Sequence, residues 1–279
     1  MTPRELIRKK TAVFRQAGVP DPETDAAFLL SYLTGRPMLD LRLDTGTVLA
    51  EDTVQRYEAL CAARTERVPL QHLTGSQYFH GHLYRVTGDV LIPRPETAEL
   101  VSHLEDCLHD FPAPKILDLC CGSGCIGIEL SLACPAASVT GADLSEAALR
   151  IARENAYALG ADLRFVQGDL FAAVPDEQFD IIVSNPPYIP SAECNALQAE
   201  VMAEPRMALD GGADGLDFYR RIIAEAPLHL HSGGILAFEI GIGEEKAIVS
   251  MMTDHGFDGI RIRPDLAGIP RMIFGKKEN

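Results

Sequence analysis

The run Asn-Pro-Pro-Tyr, formed by Asn185, Pro186, Pro187 and Tyr188, could bind a planar amino group. The side-chain oxygen of Asn185 and the carbonyl oxygen of Pro186 are acceptors, and two acceptors can hold both N–H groups of a carboxamide or an exocyclic amine. The prolines fix their own φ angles and keep Asn185 out of the helical region, so the run is stiff. It predicts a rigid corner that orients a nitrogen atom for reaction.

A second candidate site is a glycine-rich turn between a predicted strand and a predicted helix. It consists of Cys120, Cys121, Gly122, Ser123 and Gly124. Glycine lets a ligand approach the backbone closely. The next predicted strand ends in Asp143, nineteen residues after Gly124, where a carboxylate can accept hydrogen bonds from both hydroxyl groups of a ribose.

Two cofactors fit this turn. Gly122, Gly124 and Gly127 have the spacing of the dinucleotide fingerprint, which alone is a weak signal. Asp118, four residues before Gly122, favours S-adenosylmethionine, because a carboxylate there suits the ammonium group of that cofactor and would repel a pyrophosphate. The third alternative is a glycine turn that binds no ligand.

Asp169 and Leu170 follow the third predicted strand, where the next loop would lie against an adenine ring. Asp169 could accept a hydrogen bond from the exocyclic amine, and Leu170 could pack on the ring. The simpler alternative is a turn capped by an aspartate.

Together the two sites predict methyl transfer to an amide nitrogen. Such a nitrogen is a poor nucleophile, and positive charge develops on it during transfer. The acceptors at Asn185 and Pro186, with the ring face of Tyr188, could stabilise that charge. The displacement needs alignment more than a general base. A proline-rich turn without a ligand is the alternative.

Strands that alternate with helices must position these sites. We predict strands over residues 115–120, 138–143, 163–167, 180–184, 234–239, 259–263 and 272–275. The alternation indicates an α/β fold with a doubly wound, mostly parallel sheet. Only residues 264–271 separate the last two strands, too few for a parallel crossover helix, so these strands should pair antiparallel.

The amino-terminal part has a different character. Helical spacing predicts a first helix from Pro3, a second from Pro22 that ends before Gly35, and a third over residues 51–67. These would form a small helical bundle. Strand-like residues around Gly81 then predict a hairpin connector.

Composition limits the function classes. The chain has 279 residues, 47% of them hydrophobic, and a formal net charge of -15. A large core excludes disorder, and the negative charge disfavours a nucleic-acid partner over a basic or neutral protein. We find no signal-peptide pattern and no long apolar stretch, and so expect a cytoplasmic protein. The chain has seven cysteines, of which Cys120, Cys121 and Cys125 lie close together. No histidine lies near these three, so we predict no metal site.

The motifs resemble those of the release factor glutamine methyltransferase family, within the Asn-Pro-Pro-Tyr methyltransferases. Beyond the two sites, the resemblance covers residues 71–75, 91–97, 204–209, 211–216 and 238–241. It implies a Rossmann-like, seven-stranded methyltransferase sheet that is mostly parallel with its last strand antiparallel. It further implies an N-terminal helical substrate-recognition domain (1–75), a β-hairpin connector (76–95) and an S-adenosylmethionine-dependent methyltransferase domain (96–279).

The resemblance also implies residue roles. Cys120 to Gly124, Asp143, Asp169, Leu170 and Asn185 would bind S-adenosylmethionine, which becomes S-adenosylhomocysteine. Asn185, Pro186, Pro187 and Tyr188 would bind the glutamine of the Gly-Gly-Gln motif in peptide chain release factors, with Asn185 and Pro186 as the catalytic groups. Arg94 and Glu96 would border the methionine end of the cofactor. A monomer is expected.

The sequence departs from the family at three positions. Relatives usually have glycine at Cys120, a small residue such as threonine at Cys121 and often an aromatic residue at Leu170. Cys120 beside the ligand raises the hypothesis of oxidation sensitivity. Three rivals remain: a glutamine methyltransferase of a ribosomal protein, an adenine-N6 nucleic-acid methyltransferase and a scaffold without catalytic activity.

Overall fold

The computed structural model describes residues 1–278, which form two compact units. The first contains Met1–Ser76 and the later segment Gln198–Ala203, and the second contains Gln77–Leu197 and the chain from Glu204 onward. The last residue of the expected methyltransferase domain, residue 279, lies outside the described residues. Within residues 1–278, no helix has the length and apolar character needed to cross a membrane.

The first unit is a helical bundle, as the spacing predicts. Its helices are α1 (Pro3–Gln16), α2 (Pro22–Thr34), α3 (Met38–Leu43), α4 (Glu51–Thr65) and α5 (Leu70–Thr74). Leu6, Ile7 and Phe14 on one side of α1 are buried in the bundle core. The sequence reading missed α3 and α5. Both are short, and each follows a proline.

A two-stranded hairpin follows, with strands β1 (Ser76–Phe79) and β2 (His82–Arg85). The turn between them has positive φ at His80 (47°) and Gly81 (89°). Two such residues form the turn that matches the twist of a hairpin. The predicted hairpin is therefore present around Gly81.

Seven strands form the sheet of the second unit. They are β3 (Lys115–Leu119), β4 (Ser138–Asp143), β5 (Arg164–Gln167), β6 (Phe179–Ser184), β7 (Leu230–Glu239), β8 (Phe257–Pro264) and β9 (Pro270–Lys277). Their order is β5-β4-β3-β6-β7-β9-β8. Neighbours from β5 to β7 are parallel, and β9 is antiparallel to both β7 and β8. The predicted mostly parallel sheet with an antiparallel last strand is confirmed.

Helices of the second unit cover both faces of this sheet. They are α6 (Pro95–Leu108), α7 (Cys125–Ala133), α8 (Glu146–Leu159), α10 (Asp217–His229) and α11 (Glu245–Asp254), while α9 (Ala199–Met202) belongs to the first unit. Residues of β6 alternate between the two cores. Ile181 and Val183 pack with α6 and α7, and Ile182 packs with α10 and α11. This burial on both faces explains why the strand reads as a continuous apolar run.

Candidate functional site

The two predicted sites meet at the carboxyl ends of β3 and β6. These strands are neighbours, with Leu119 paired to Ser184, and the chain leaves them toward opposite sides of the sheet. The loops that follow them therefore separate and leave a crevice, which is where open α/β sheets bind ligands.

One cavity at this point is lined by most of the predicted residues. They are Cys120, Cys121, Gly122, Ser123, Asp143, Asp169, Leu170, Asn185 and Pro187. The residues that line this cavity do not include Asp118, Gly124, Pro186 and Tyr188, nor Arg94 and Glu96, although Pro93 and Thr97 line it. The structure thus brings together residues from loops far apart in the chain.

The glycine turn has a backbone that favours glycine at several points. Gly122 and Gly124 have φ angles of 53° and 79°, and Cys120 has a φ of 58°. A Cβ at Gly124 would lie 3.0 Å from the Cβ of Ala152. The left-handed conformation of Cys120 costs a non-glycine residue about 1–2 kcal/mol, so glycine would be favoured at this position.

Asp143 lies at the end of β4, as predicted, and its carboxylate shapes the turn. Its Oδ2 accepts a hydrogen bond from the N–H of Gly122 at 2.9 Å, and Oδ1 accepts one from the N–H of Ser145 at 2.8 Å. Burial raises the pKa of Asp143. Each carboxylate oxygen can accept a further bond, so these contacts leave room for ribose hydroxyl groups.

Asp118 is 1% exposed, and its two oxygens differ. Oδ2 accepts a hydrogen bond from the N–H of Gly127 at 2.9 Å. Oδ1 is buried and has no hydrogen-bond partner in residues 1–278. Burial, with a smaller contribution from the nearby charge of Asp143, raises the pKa of Asp118 to about 7. A buried acceptor without a partner is costly, so a cationic group that reached this oxygen would relieve that cost.

Cys120 and Cys121 of the turn, and Cys125 at the start of α7, lie where the thiolate form is disfavoured. Burial and nearby carboxylates raise the pKa of Cys120, Cys121 and Cys125. Because the thiolate is the reactive form, a raised pKa disfavours oxidation. The raised pKa of Cys120 therefore argues against oxidation sensitivity, which stays a hypothesis to be tested.

Asp169 and Leu170 lie side by side on the cavity wall. Leu170 has a φ of 51° and is largely buried, and its side chain packs with the core while it also lines the cavity. Asp169 is half exposed and forms an ion pair with Arg221, with 2.8 Å between Nη2 and Oδ2. Leu170 thus offers an apolar surface beside an acceptor that remains accessible.

The corner formed by Asn185 to Tyr188 after β6 is fixed by hydrogen bonds to Thr97 and Arg271. The Nδ2 of Asn185 donates a hydrogen bond to the Oγ1 of Thr97 at 3.2 Å. Tyr188 accepts a hydrogen bond at its hydroxyl from Arg271 Nη2 (3.2 Å), whose guanidinium lies 5.5 Å from the ring centroid. The ring of Tyr188 therefore already faces one cation of the protein.

The residues before α6 are anchored by a buried carboxylate. Glu204 accepts a hydrogen bond from the N–H of Ile92 at 2.8 Å and pairs with Arg94. Arg94 thus braces the chain that carries Pro93 and Thr97 into the cavity. That Arg94 and Glu96 border the methionine end of a cofactor stays a prediction of the resemblance.

Sequence reasoning assigned no role to Thr97 and Glu239. Thr97 donates a hydrogen bond to Oε2 of Glu239 at 2.5 Å, and Glu239 is 0% exposed. Both residues lie in runs that the resemblance covered, 91–97 and 238–241. The available signal was a buried-type strand that ends in a glutamate.

Comparison with known proteins agrees with this architecture. Residues 95–213 match the family described as Methyltransferase small domain, and residues 5–75 match the family described as PrmC N-terminal domain. A methyltransferase from Pyrococcus furiosus has a similar fold, with a TM-score of 0.53 and 17% identity over 82% of this chain and all of that one. Fold and site define an S-adenosylmethionine-dependent methyltransferase.

Two curated relatives identify the family. The release factor glutamine methyltransferase of Geobacter sulfurreducens is 39% identical over 99% of this chain and 96% of its own length. That of Deinococcus radiodurans is 38% identical over 98% of both chains. The chain belongs to the release factor glutamine methyltransferase family.

Proposed function

We propose that this protein transfers a methyl group from S-adenosylmethionine to the side-chain amide nitrogen of the glutamine in the Gly-Gly-Gln motif of peptide chain release factors. One observation carries the proposal. The Asn185 corner and the glycine turn line the same cavity, so an amide held at Asn185 lies beside a ligand of the turn.

The methyl donor would be held along the turn. Asp118 Oδ1 would accept from its ammonium group, and Asp143 from its ribose hydroxyls. Asp169 would accept from the adenine amine, with Leu170 packed on the ring. Cys120 to Gly124 would line its path, and Asn185 would border its reactive end. When bound, this cofactor supplies an activated methyl group on a sulfonium centre.

The protein mainly orients the acceptor nitrogen. Asn185 Oδ1 and the carbonyl oxygen of Pro186 would each accept one N–H of the glutamine amide. Pro187 stiffens the corner, and Tyr188 fixes its far end through Arg271. Both acceptors carry partial negative charge, so they stabilise the positive charge that develops on the nitrogen. Fixed acceptors need little reorganisation during transfer.

The domain roles form part of the same proposal. Residues 1–75 would recognise the release factor, and residues 76–95 would connect this domain to the next. The chain from residue 96 would catalyse methyl transfer. The net charge of -15 disfavours direct nucleic-acid binding. Because one chain supplies every group assigned here, a monomer suffices. Because release factors act in translation, we expect the enzyme to work in the cytoplasm.

Transfer of a radiolabelled methyl group tests the proposal. Purified release factor, its Gly-Gly-Gln variant with alanine for glutamine, and a ribosomal protein fraction are each incubated with enzyme and labelled donor. We expect label only on the unaltered release factor. Equal label on the alanine variant would refute the glutamine assignment, and label confined to a ribosomal protein would favour the sister activity.

A further inference from the structure

The carboxamide of Asn185 can occupy its site in two orientations that exchange oxygen and nitrogen. The proposed function, on which this inference rests, requires the oxygen to face the cavity, because only the oxygen accepts an N–H group. Some group behind Asn185 must therefore select the orientation.

Thr97 is the group in contact. Its Oγ1 lies 3.2 Å from Asn185 Nδ2 and 2.5 Å from Glu239 Oε2. A hydroxyl has one proton to donate and two lone pairs. An ionised Glu239 can only accept, so the proton of Thr97 is directed to Glu239. The lone pairs of Thr97 then face Asn185, and they attract its NH2 group and repel its oxygen.

The charge state of Glu239 sets the direction of these hydrogen bonds. This residue lies at the end of β7 and is fully buried, and its backbone carbonyl accepts a bond from the Tyr219 hydroxyl at 2.8 Å. Arg271 Nη2 lies 3.6 Å from Oε1, and its charge favours the ionised form. Burial acts in the other direction and raises the pKa of Glu239 to about 7.

Other ionisable groups also act on this carboxylate. Across the elements packed against it they are Arg94, Glu96, Cys125, Tyr188, Tyr219 and Arg271. The two arginines favour ionisation, and Glu96 opposes it. A protonated Glu239 would donate to Thr97, whose own proton could then turn to the oxygen of Asn185. The amide could rotate and present N–H groups to the cavity.

We propose that Thr97 and Glu239 are positioning residues, which act through one directed hydrogen-bond chain to hold the Asn185 oxygen toward the substrate amide. Neither residue needs to touch the reacting atoms for this role. The chain couples the protonation of a buried carboxylate to the orientation of the catalytic amide.

Kinetics of Thr97 variants form the first test. Thr97→Val keeps the shape but removes the hydroxyl, and we expect it to lower kcat by about tenfold to a hundredfold, because it loosens one preorganised acceptor. The Kd of the methyl donor should change by less than about threefold. Thr97→Ser should recover most of the rate. Thr253→Val, on the exposed side of α11, is the matched control.

The pH profile adds a readout that a merely structural role would not move. In the unaltered enzyme, kcat should fall below about pH 7 as Glu239 gains a proton. This fall should disappear in Thr97→Val and in Glu239→Gln, which lack the hydroxyl link or the ionisable group. An unchanged profile in both variants would overturn the inference.

Nuclear magnetic resonance of the side-chain amide reads the orientation without any release factor. The Asn185 NH2 signal, assigned by its loss in Asn185→Asp, should titrate with Glu239 in the unaltered protein and stop titrating in Thr97→Val. An NH2 signal indifferent to both Thr97 and pH would refute the directed chain even if methyl transfer occurs. Conversely, an NH2 signal that titrates, without methyl transfer to release factor, would support the directed hydrogen-bond chain and refute the proposed substrate.

Discussion

Asp118 and Glu239 are buried carboxylates of the same unit, and they lie at or next to the carboxyl ends of β3 and β7. Each has a pKa raised by burial to about 7, and each has one oxygen without a hydrogen-bond partner in the described residues. Their neighbours differ. Glu239 has the guanidinium of Arg271 at 3.6 Å, whereas the nearby charge that acts on Asp118 is the carboxylate of Asp143.

This difference separates two uses of a buried acid. A carboxylate with its own cation is already neutralised and can direct hydrogen bonds within the protein. A carboxylate without one is destabilised until a cation arrives, so it favours a positively charged ligand. We therefore assign Glu239 to the orientation of the amide corner and Asp118 to the ammonium group of the methyl donor.

The largest expected effect is at the amide end. Asn185→Ala should lower methyl transfer by at least about a hundredfold, comparable with the loss of one preorganised polar group in other enzymes. The affinity for the donor should change much less, because Asp118 and the glycine turn remain. Steady-state transfer and calorimetric donor binding measure the two separately.

Asn195→Ala, at an exposed position, is the control for this substitution. Transfer by Asn185→Ala within threefold of the unaltered enzyme would contradict the role of that side chain. A matching loss of donor affinity would instead break the proposed separation between the two ends.

Gly211→Ala should disturb the same end through the backbone. A Cβ at Gly211 would lie 2.7 Å from both the carbonyl oxygen of Pro187 and the Cα of Tyr188, so the corner must shift. We expect kcat/KM to fall by at least about tenfold, because small displacements of a positioned group are costly. At Gly46 a Cβ would have no neighbour within 4 Å, so Gly46→Ala should retain full activity in the same transfer assay.

Asp118→Asn tests the donor end. It removes the charge and, with its oxygen held by Gly127, turns an NH2 group toward the ligand. The Kd of S-adenosylmethionine should rise by about tenfold or more, since a hydrogen bond to a charged group is lost. Calorimetry measures the Kd. An unchanged value would remove Asp118 from the donor site.

The same carboxylate predicts a pH dependence of binding. The cationic ligand requires the ionised form of Asp118, whose pKa is about 7. Affinity should therefore be constant above that pH and should fall below it, by up to about tenfold per pH unit. Asp118→Asn should abolish the dependence. A flat profile in the unaltered protein between pH 5.5 and about 8 would show that another group neutralises the ligand.

The smallest effect is expected at Cys120. Cys120→Gly removes the energetic cost of a left-handed backbone in the folded state, but it raises the conformational entropy of the unfolded chain. The two contributions to the free energy of unfolding nearly cancel. We expect the free energy of unfolding to change by less than about 1 kcal/mol and transfer by less than about threefold. Both forms should lose activity equally slowly in peroxide. Faster inactivation of the unaltered enzyme would restore the oxidation hypothesis.

The sequence by itself determined the sheet, the helical bundle and the two loops that carry the chemistry. Continuous apolar runs ended at residues whose types suit a ligand, and each pattern is local: a strand period, a glycine turn or a proline pair. The strand predictions differ from the structure mainly at their ends, as at β7, which begins at Leu230 and includes the glycines at 233 and 234.

Only the tertiary structure decided which side chains contact the residues of those loops. Thr97, Asn185 and Glu239 come from three separate parts of the chain, and no spacing rule links them. No spacing rule predicts that Arg271 lies beside Glu239. Nor does one predict that, in the described residues, the nearby charge acting on Asp118 is a carboxylate. Side-chain partners and pKa shifts depend on distances across the core, and these exist only once the sheet has assembled.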